Sequence, residues 1–137
     1  IIENNIILNI ASNLPEEEKN RCISVLISRI IGKKKLPYIK EKIEKLNKDY
    51  FNVNINNICL KYNKSNWGSC SNKGNENIST RILFAPEDIL DYICVHELAH
   101  LKEHNHSNRF WDVVREIMPD YKEREKWLKE NRDKCYF

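Results

Sequence analysis

In PEDILDYICVHELAHLKEHNH, residues 86–106, an apolar helical pattern and all four histidines of a 137-residue chain occur together. Pro86, Glu87 and Asp88 suit a helix's first turn, where a missing donor costs nothing and carboxylates meet the positive end of the dipole. Ile89 and Ile93, then Leu90, Cys94, Leu98 and Leu101, recur at three- or four-residue spacing. Between 89 and 101 the pattern is apolar on nearly every side, which predicts a buried helix rather than a surface one.

His96 and His100 are four residues apart, so on that helix their rings project from one face and can reach a single metal ion. Zinc is the natural occupant of such a pair. Glu97 stands where HExxH zinc hydrolases keep a carboxylate beside the metal-bound water. Imidazoles and a carboxylate buried without compensation would be costly, and a metal supplies that compensation. Were the helix to continue, His96, His100 and His104 would span about 12 Å at roughly 1.5 Å per residue. One ion with bonds of about 2.0–2.1 Å cannot serve both ends of that row, so His104 is poorly placed. A turn after Glu103, with Asn105 in the left-handed conformation, would bring in His106 instead. The expected ligands are His96, His100 and His106, with Glu97 as catalytic base. A structural zinc site would close with four protein ligands, and no cysteine lies at compact spacing beside these histidines. The packing alternative, two core histidines and a Glu97–lysine pair, requires the motif, the later histidine and the apolar helix to coincide.

Upstream, SNLPEEEKNRCISVLISRIIG offers a helix start at Ser12 or Asn13 and a stop at Gly32, and a second helix follows Pro37. Residues 12–50 are thus expected to be supporting helices. VNINNICLKY, residues 53–62, alternates like a half-buried strand with an irregularity at Asn56 and Asn57, and Trp67–Cys70 and Ile78–Phe84 are further strand candidates. This makes 53–84 a small sheet, with SNKGNEN as a turn. Downstream, Ser107 caps SNRFWDVVREIM, and a last helix starts near Asp120, so 86–133 comprises the metal-binding helix and two closing helices. Trp67 and Trp111 read as core anchors, and Cys70 as a buried neutral thiol.

Composition fits one soluble domain over 1–137, with 41% hydrophobic and 31% charged residues. No apolar run approaches the roughly 18 residues that span a bilayer. The opening IIENNIILNI lacks the plan of a signal peptide and reads as the start of the C-terminal part of a longer protein. A net charge of +3 gives little support to a nucleic-acid partner, and KKK at 33–35 reads as a solvated loop. Five scattered cysteines without a CxxC pair favour reduced thiols and a cytoplasmic location.

WGSCS at 67–71, AP at 85–86, DYICVHELAHLKEHNHSNRFW at 91–111 and PDYKEREKWL at 119–128 together resemble the YgjP-like metallopeptidases, relatives of the SprT-like and WLM groups of zincins. The resemblance implies a zincin-like α+β fold, helices on a small, mostly antiparallel sheet with HExxH on a buried helix. It also implies zinc held by His96, His100 and His106, Glu97 as base, and protein or peptide substrates. Arg81 fits the family pattern, whereas Ser79 and Thr80 depart from it after Ile78, on the strand expected to face substrate.

The expected chemistry is peptide hydrolysis by a Glu97-activated zinc-bound water, with Glu97 returning the proton to the leaving amine. His104, Arg81, Arg109 and Tyr121 are the candidates for stabilising the oxyanion. An exposed edge at Ile78–Phe84 would bind an extended peptide by strand addition. Two alternatives compete. A metal-dependent nucleotide pyrophosphatase would want a phosphate cradle, for which three glycines are few; a non-catalytic zinc-stabilised protein- or DNA-binding module would show salt-dependent DNA binding.

Overall fold

The computed structural model describes residues 5–62, 67–71 and 73–132. Its first element is a single long helix, α1 (Glu16–Leu46), with Glu16, Glu17 and Glu18 in the first turn. The two helices expected here are therefore one. Gly32 does not stop α1 because its missing side chain serves packing: a Cβ there would lie 3.2 Å from Thr80 Cγ2 and 3.6 Å from Leu60 Cβ. Pro37 lies inside the helix and removes one donor, on a stretch exposed enough for water to take its place. Lys33, Lys34 and Lys35 accordingly line an exposed face of α1 rather than a loop. The apolar anchors of α1 in the core are Ile39 and Ile43, with Ser28 and Gly32 buried further toward its N-terminus. The helix ends in a π turn (Asn47–Phe51) followed by Asn52 in the left-handed region at φ 53°. The Asn47 side chain closes it, donating to the Val53 carbonyl at 2.8 Å and accepting from the Val53 amide at 2.9 Å.

Three strands follow, β1 (Asn57–Lys61), β2 (Gly68–Cys70) and β3 (Asn75–Ser79), in the order β1-β3-β2. β2 and β3 pair antiparallel across a tight turn, and β1 and β3 pair parallel. The sheet is thus mixed rather than mostly antiparallel: β2 reverses the chain once, so β3 regains the direction of β1. The irregularity read at Asn56 and Asn57 is real, since both amides donate to the Gly74 carbonyl, at 2.8 and 3.3 Å, where β1 begins. The strand expected over Ile78–Phe84 ends at Ser79, and Thr80–Phe84 is a 3-10 helix. Ser79 explains the change: its hydroxyl accepts from the Arg81 amide at 3.3 Å, capping a helical turn that takes the chain out of the sheet.

α2 (Glu87–Lys102) is the central element, buried from Ile89 to Ala99 apart from a few positions and packed against α1, β2 and the two closing helices. Lys42 of α1 clamps its first turns, 2.6 Å from Glu87 and 2.5 Å from Asp91. α3 (Asn108–Ile117) begins at Ser107, whose hydroxyl accepts from the Phe110 amide at 3.5 Å. α4 (Tyr121–Glu130) reaches back to α2 through Arg124 and Asp88, 3.8 Å apart. The architecture is α+β, four helices among the described residues packed on a small three-stranded sheet, with the HExxH motif on the buried helix. No helix among these residues is long and apolar enough to cross a membrane. Cys22, Cys59, Cys70 and Cys94 are free thiols, and Cys135 lies outside the described residues.

Candidate metal centre

α2 presents His96 and His100 on one face, ring centroids 5.0 Å apart. After Lys102 the helix stops because Glu103 is extended, at φ −133° and ψ 103°. Asn105 does not supply the turn: Asn52 is the only non-glycine residue with positive φ among those described. The extended step swings the chain back, and the ring of His106 lies 5.3 Å from His96 and 4.5 Å from His100. One ligand atom from each of His96, His100 and His106 falls within a 4.8 Å set, and exposed His104 is outside it.

The donor set fits a metal ion in geometry and charge. His96 Nε2 and His106 Nε2 are 3.3 Å apart. Two nitrogens bound tetrahedrally at about 2.05 Å would stand roughly 3.3–3.4 Å apart. Burial pushes the pKa of His96 down to about 3, with His100 and His106 adding repulsion, and burial also lowers that of His100. Neutral imidazole is the form that ligates. Phe110, fully buried, floors the cluster with its ring 4.6–5.0 Å from all three imidazoles. Trp111 stacks on His106 at 5.9 Å and on Tyr121 at 5.2 Å, so exposed His106 is held by a column of rings.

Sequence reasoning missed Tyr92, whose hydroxyl is 3.3 Å from His96 Nδ1. It fixes the orientation of the ring and leaves Nε2 free for the cluster, the usual role of a group behind a ligating histidine. The signal was present: Tyr92 precedes His96 by one helical turn. Glu125 of α4 in turn faces the Tyr92 hydroxyl, and burial, then Glu125, push its pKa up.

Glu97 is 5% exposed, and its Oε2 has no hydrogen-bond partner. Its carboxyl rests against β2 at Gly68, where a Cβ would lie 2.9 Å from Glu97 Oε1. The glycine of WGSCS is therefore the space that admits the carboxylate. Burial pushes the Glu97 pKa up to about 8, with a contribution from Glu76. Glu76, 1% exposed on β3 and paired across the ladder with Cys70, also has neither oxygen satisfied. Burial raises it to about 7, the Cys70 thiol opposing. Cys70 is pushed up to about 12, first by burial and then by Glu76, so it is the neutral thiol expected.

His96 and Glu97 open onto a pocket of about 250 Å³ between Trp67 and α4. None of His104, Arg81, Arg109 and Tyr121 lines it. Arg81 is 1% exposed, its guanidinium 4.3 Å from the Trp67 ring and donating to the Arg132 carbonyl, which makes it a tie between the pocket's two walls. Tyr121 is buried against Trp111, and Arg109 is exposed on α3. Trp67 is half-buried, joining the core with one face and the pocket with the other.

No protein of curated function matches the sequence. Solved structures that resemble the fold include two metallopeptidase zymogens. One is the crystal structure of the metallopeptidase zymogen of Pyrococcus abyssi abylysin, at TM-score 0.59 and 25% identity, covering 67% of this chain and 93% of that one. The other is the metallopeptidase zymogen of Methanocaldococcus jannaschii jannalysin, at TM-score 0.60 and 26% identity, covering 68% and 95%. Over residues 3–131 the sequence matches the YgjP-like family, metallopeptidase domain. A buried helix with three converging imidazoles, two metallopeptidases of similar fold and a match over nearly the whole length agree: the chain belongs to the YgjP-like metallopeptidase domain family, which implies a metal ion and protein or peptide substrates.

Proposed function

We propose that residues 1–137 form one zinc-dependent peptidase domain in which His96, His100 and His106 hold the ion and Glu97 carries the proton. The observation that carries this reading is the convergence of three imidazoles beside a buried carboxylate with an unpartnered oxygen. Three nitrogen donors without a fourth protein ligand among the described residues suit a catalytic zinc site, which keeps one position open. Zinc, when bound, supplies a Lewis acid that polarises the scissile carbonyl and lowers the pKa of water at the site. Glu97 takes the proton from the attacking water and delivers it to the amine nitrogen as the C–N bond breaks. Burial raises its pKa, and the positive charge of a bound ion would oppose that rise and favour the carboxylate form that accepts the proton. Tyr92 holds His96 in register throughout, and the apolar wall of α2 keeps bulk water from Glu97's inner side.

The strand suited to an extended substrate is β2, at the sheet's edge beside α2, rather than the segment after Ile78. A phosphoanhydride substrate finds less support. Gly68 is occupied by Glu97, Gly32 by helix packing and Gly74 by the β2–β3 turn, so no glycine is left to build a phosphate cradle. The free thiols suit a reducing cytoplasm.

The test is chelator-resistant zinc per chain in the parent, His106→Ala and His104→Ala proteins, followed by peptide cleavage with Glu97→Gln as control. The expected result is about one zinc, lost with His106 and kept without His104, and cleavage abolished in Glu97→Gln. A parent that takes up no zinc on reconstitution, or a Glu97→Gln protein that still cleaves, refutes the proposal.

A further inference from the structure

The pocket beside His96 and Glu97 carries a charge pattern that the peptidase reading does not require. Its inner walls are Trp67, Tyr92 and Leu128, and its mouth is formed by Glu125 and Lys129 of α4, one turn apart, and by Arg132, two residues beyond the end of that helix. Glu125 is turned toward the Tyr92 hydroxyl. Glu97 lies inside, almost fully buried. Outward-facing charge at the mouth is therefore cationic. Neither Lys129 nor Arg132 pairs with an acid among the described residues, whereas on the outer face of α4 Lys126 and Glu130 are 3.8 Å apart. Arg81 stacks on Trp67 and donates to the Arg132 carbonyl, tying the backbone just after α4 to the aromatic wall.

A volume of about 250 Å³ is below the roughly 300–1,000 Å³ of cofactor and drug-sized sites, and it suits one amino-acid side chain. We propose that this pocket selects a carboxylate of the peptide substrate, carried by a residue close to the scissile bond and paired with Lys129 and Arg132. The stem of that residue lies against Trp67 and Leu128 and its carboxylate meets the two cations at the mouth. The carboxylate comes from an acidic side chain or from the free C-terminus of a short peptide. This inference rests on the peptidase reading for the direction in which substrate lies.

The experiment uses zinc-loaded Glu97→Gln protein, so that peptides bind without being cleaved, and titrates blocked pentapeptides in which Glu is moved through the positions, each beside its Gln counterpart. A second set carries a free C-terminal carboxylate in place of the Glu. Two exposed ion pairs predict about a fivefold tighter binding of the carboxylate form, weakening as salt is raised. Lys129→Ala with Arg132→Ala is expected to remove the preference, and Lys129→Glu with Arg132→Glu to reverse it toward Lys-containing peptides. The blocked and free sets tell the two carboxylate sources apart. Equal binding of Glu and Gln forms, binding of neither, or a preference that survives the double alanine variant overturns the proposal. Failure of the peptidase reading shows itself separately, as no cleavage of the bound peptides by the zinc-loaded parent.

Discussion

Gly68→Ala should separate catalysis from stability. The added methyl would lie 2.9 Å from Glu97 Oε1 and 3.1 Å from both Glu97 Cδ and the Asn77 carbonyl oxygen. Relative to an ordinary contact of about 3.4 Å or more, the shortfall is roughly half an ångström, which the carboxylate must supply because the β3 backbone is fixed by its ladder. A displacement of about 1 Å in a catalytic group costs on the order of 100-fold in rate, so half of that predicts a fall in kcat of roughly tenfold. The atom that yields is the end of a side chain, and overpacking of about 1 kcal/mol is partly offset by the lower entropy of an unfolded alanine. Tm should therefore move by no more than about 5 °C. Gly74→Ala is the inverse case. Gly74 has φ 82°, and its Cβ would meet backbone at 2.7 Å (Asn54 O) and 3.0 Å (Asn56 N). That variant should lose about 2–3 kcal/mol of stability while kcat per folded molecule holds. The assay is kcat and KM on one peptide, with zinc content and Tm measured on the same preparations. An unchanged kcat in Gly68→Ala, or a loss fully accounted for by lost zinc or unfolding, would refute the placement of Glu97 against β2.

Three further outcomes are expected. Glu76 has a folded pKa of about 7 against an ordinary 4.5, so the native state holds its proton more tightly; its contribution is complete below about pH 4.5 and is lost as pH rises through 7. In a zinc-free Glu97→Gln background the share due to Glu76 should be a loss of roughly 2–3 kcal/mol between pH 5 and 8, opposed by His96 and His100, whose lowered pKa values favour folding as pH rises; it is read as the difference in Tm against pH between that protein and the one that also carries Glu76→Gln. An unaltered slope would show that Glu76 does not titrate as its burial requires. Tyr92→Phe removes the hydroxyl at His96 Nδ1 and should weaken zinc affinity about tenfold with little change in Tm of the zinc-free protein, measured by competition with a chelator. Ser107→Ala loses the cap of α3, costing about 1 kcal/mol, and because the cap adjoins His106 it should also weaken zinc binding in the same titration.

The convergence of His96, His100 and His106 was legible in the sequence because it is local. Helical spacing places His96 and His100, and bond length alone removes His104 from the row, so His106 remains. The means of the turn was not legible: an extended Glu103 does what Asn105 was expected to do. Misreadings elsewhere share one cause, a contact between distant segments. Gly32 reads as a helix stop until Thr80 and Leu60 are seen against it. Ile78–Phe84 reads as one strand because its apolar residues permit it, while the Ser79 hydroxyl bends it into a 3-10 turn. Arg81 looked like a catalytic candidate because its chemistry is visible in sequence and its partners, Trp67 and Arg132, are not. Glu76 lay inside what read as a polar turn, and only the ladder with β2 reveals it as buried.

The outermost histidines of the cluster, His96 and His106, are ten positions apart in the chain, whereas the glycine that seats Glu97 lies on a strand much earlier in the chain than α2. The two halves of the centre therefore differ in contact order. Gathering the three histidines needs one helix and its following loop, closed at small entropic cost, and seating Glu97 needs the sheet docked on that helix. Under increasing denaturant, peptide cleavage should fade before the ion is released. A folding chain should likewise acquire its metal before it can turn over substrate, which keeps a half-folded protease from acting on its neighbours.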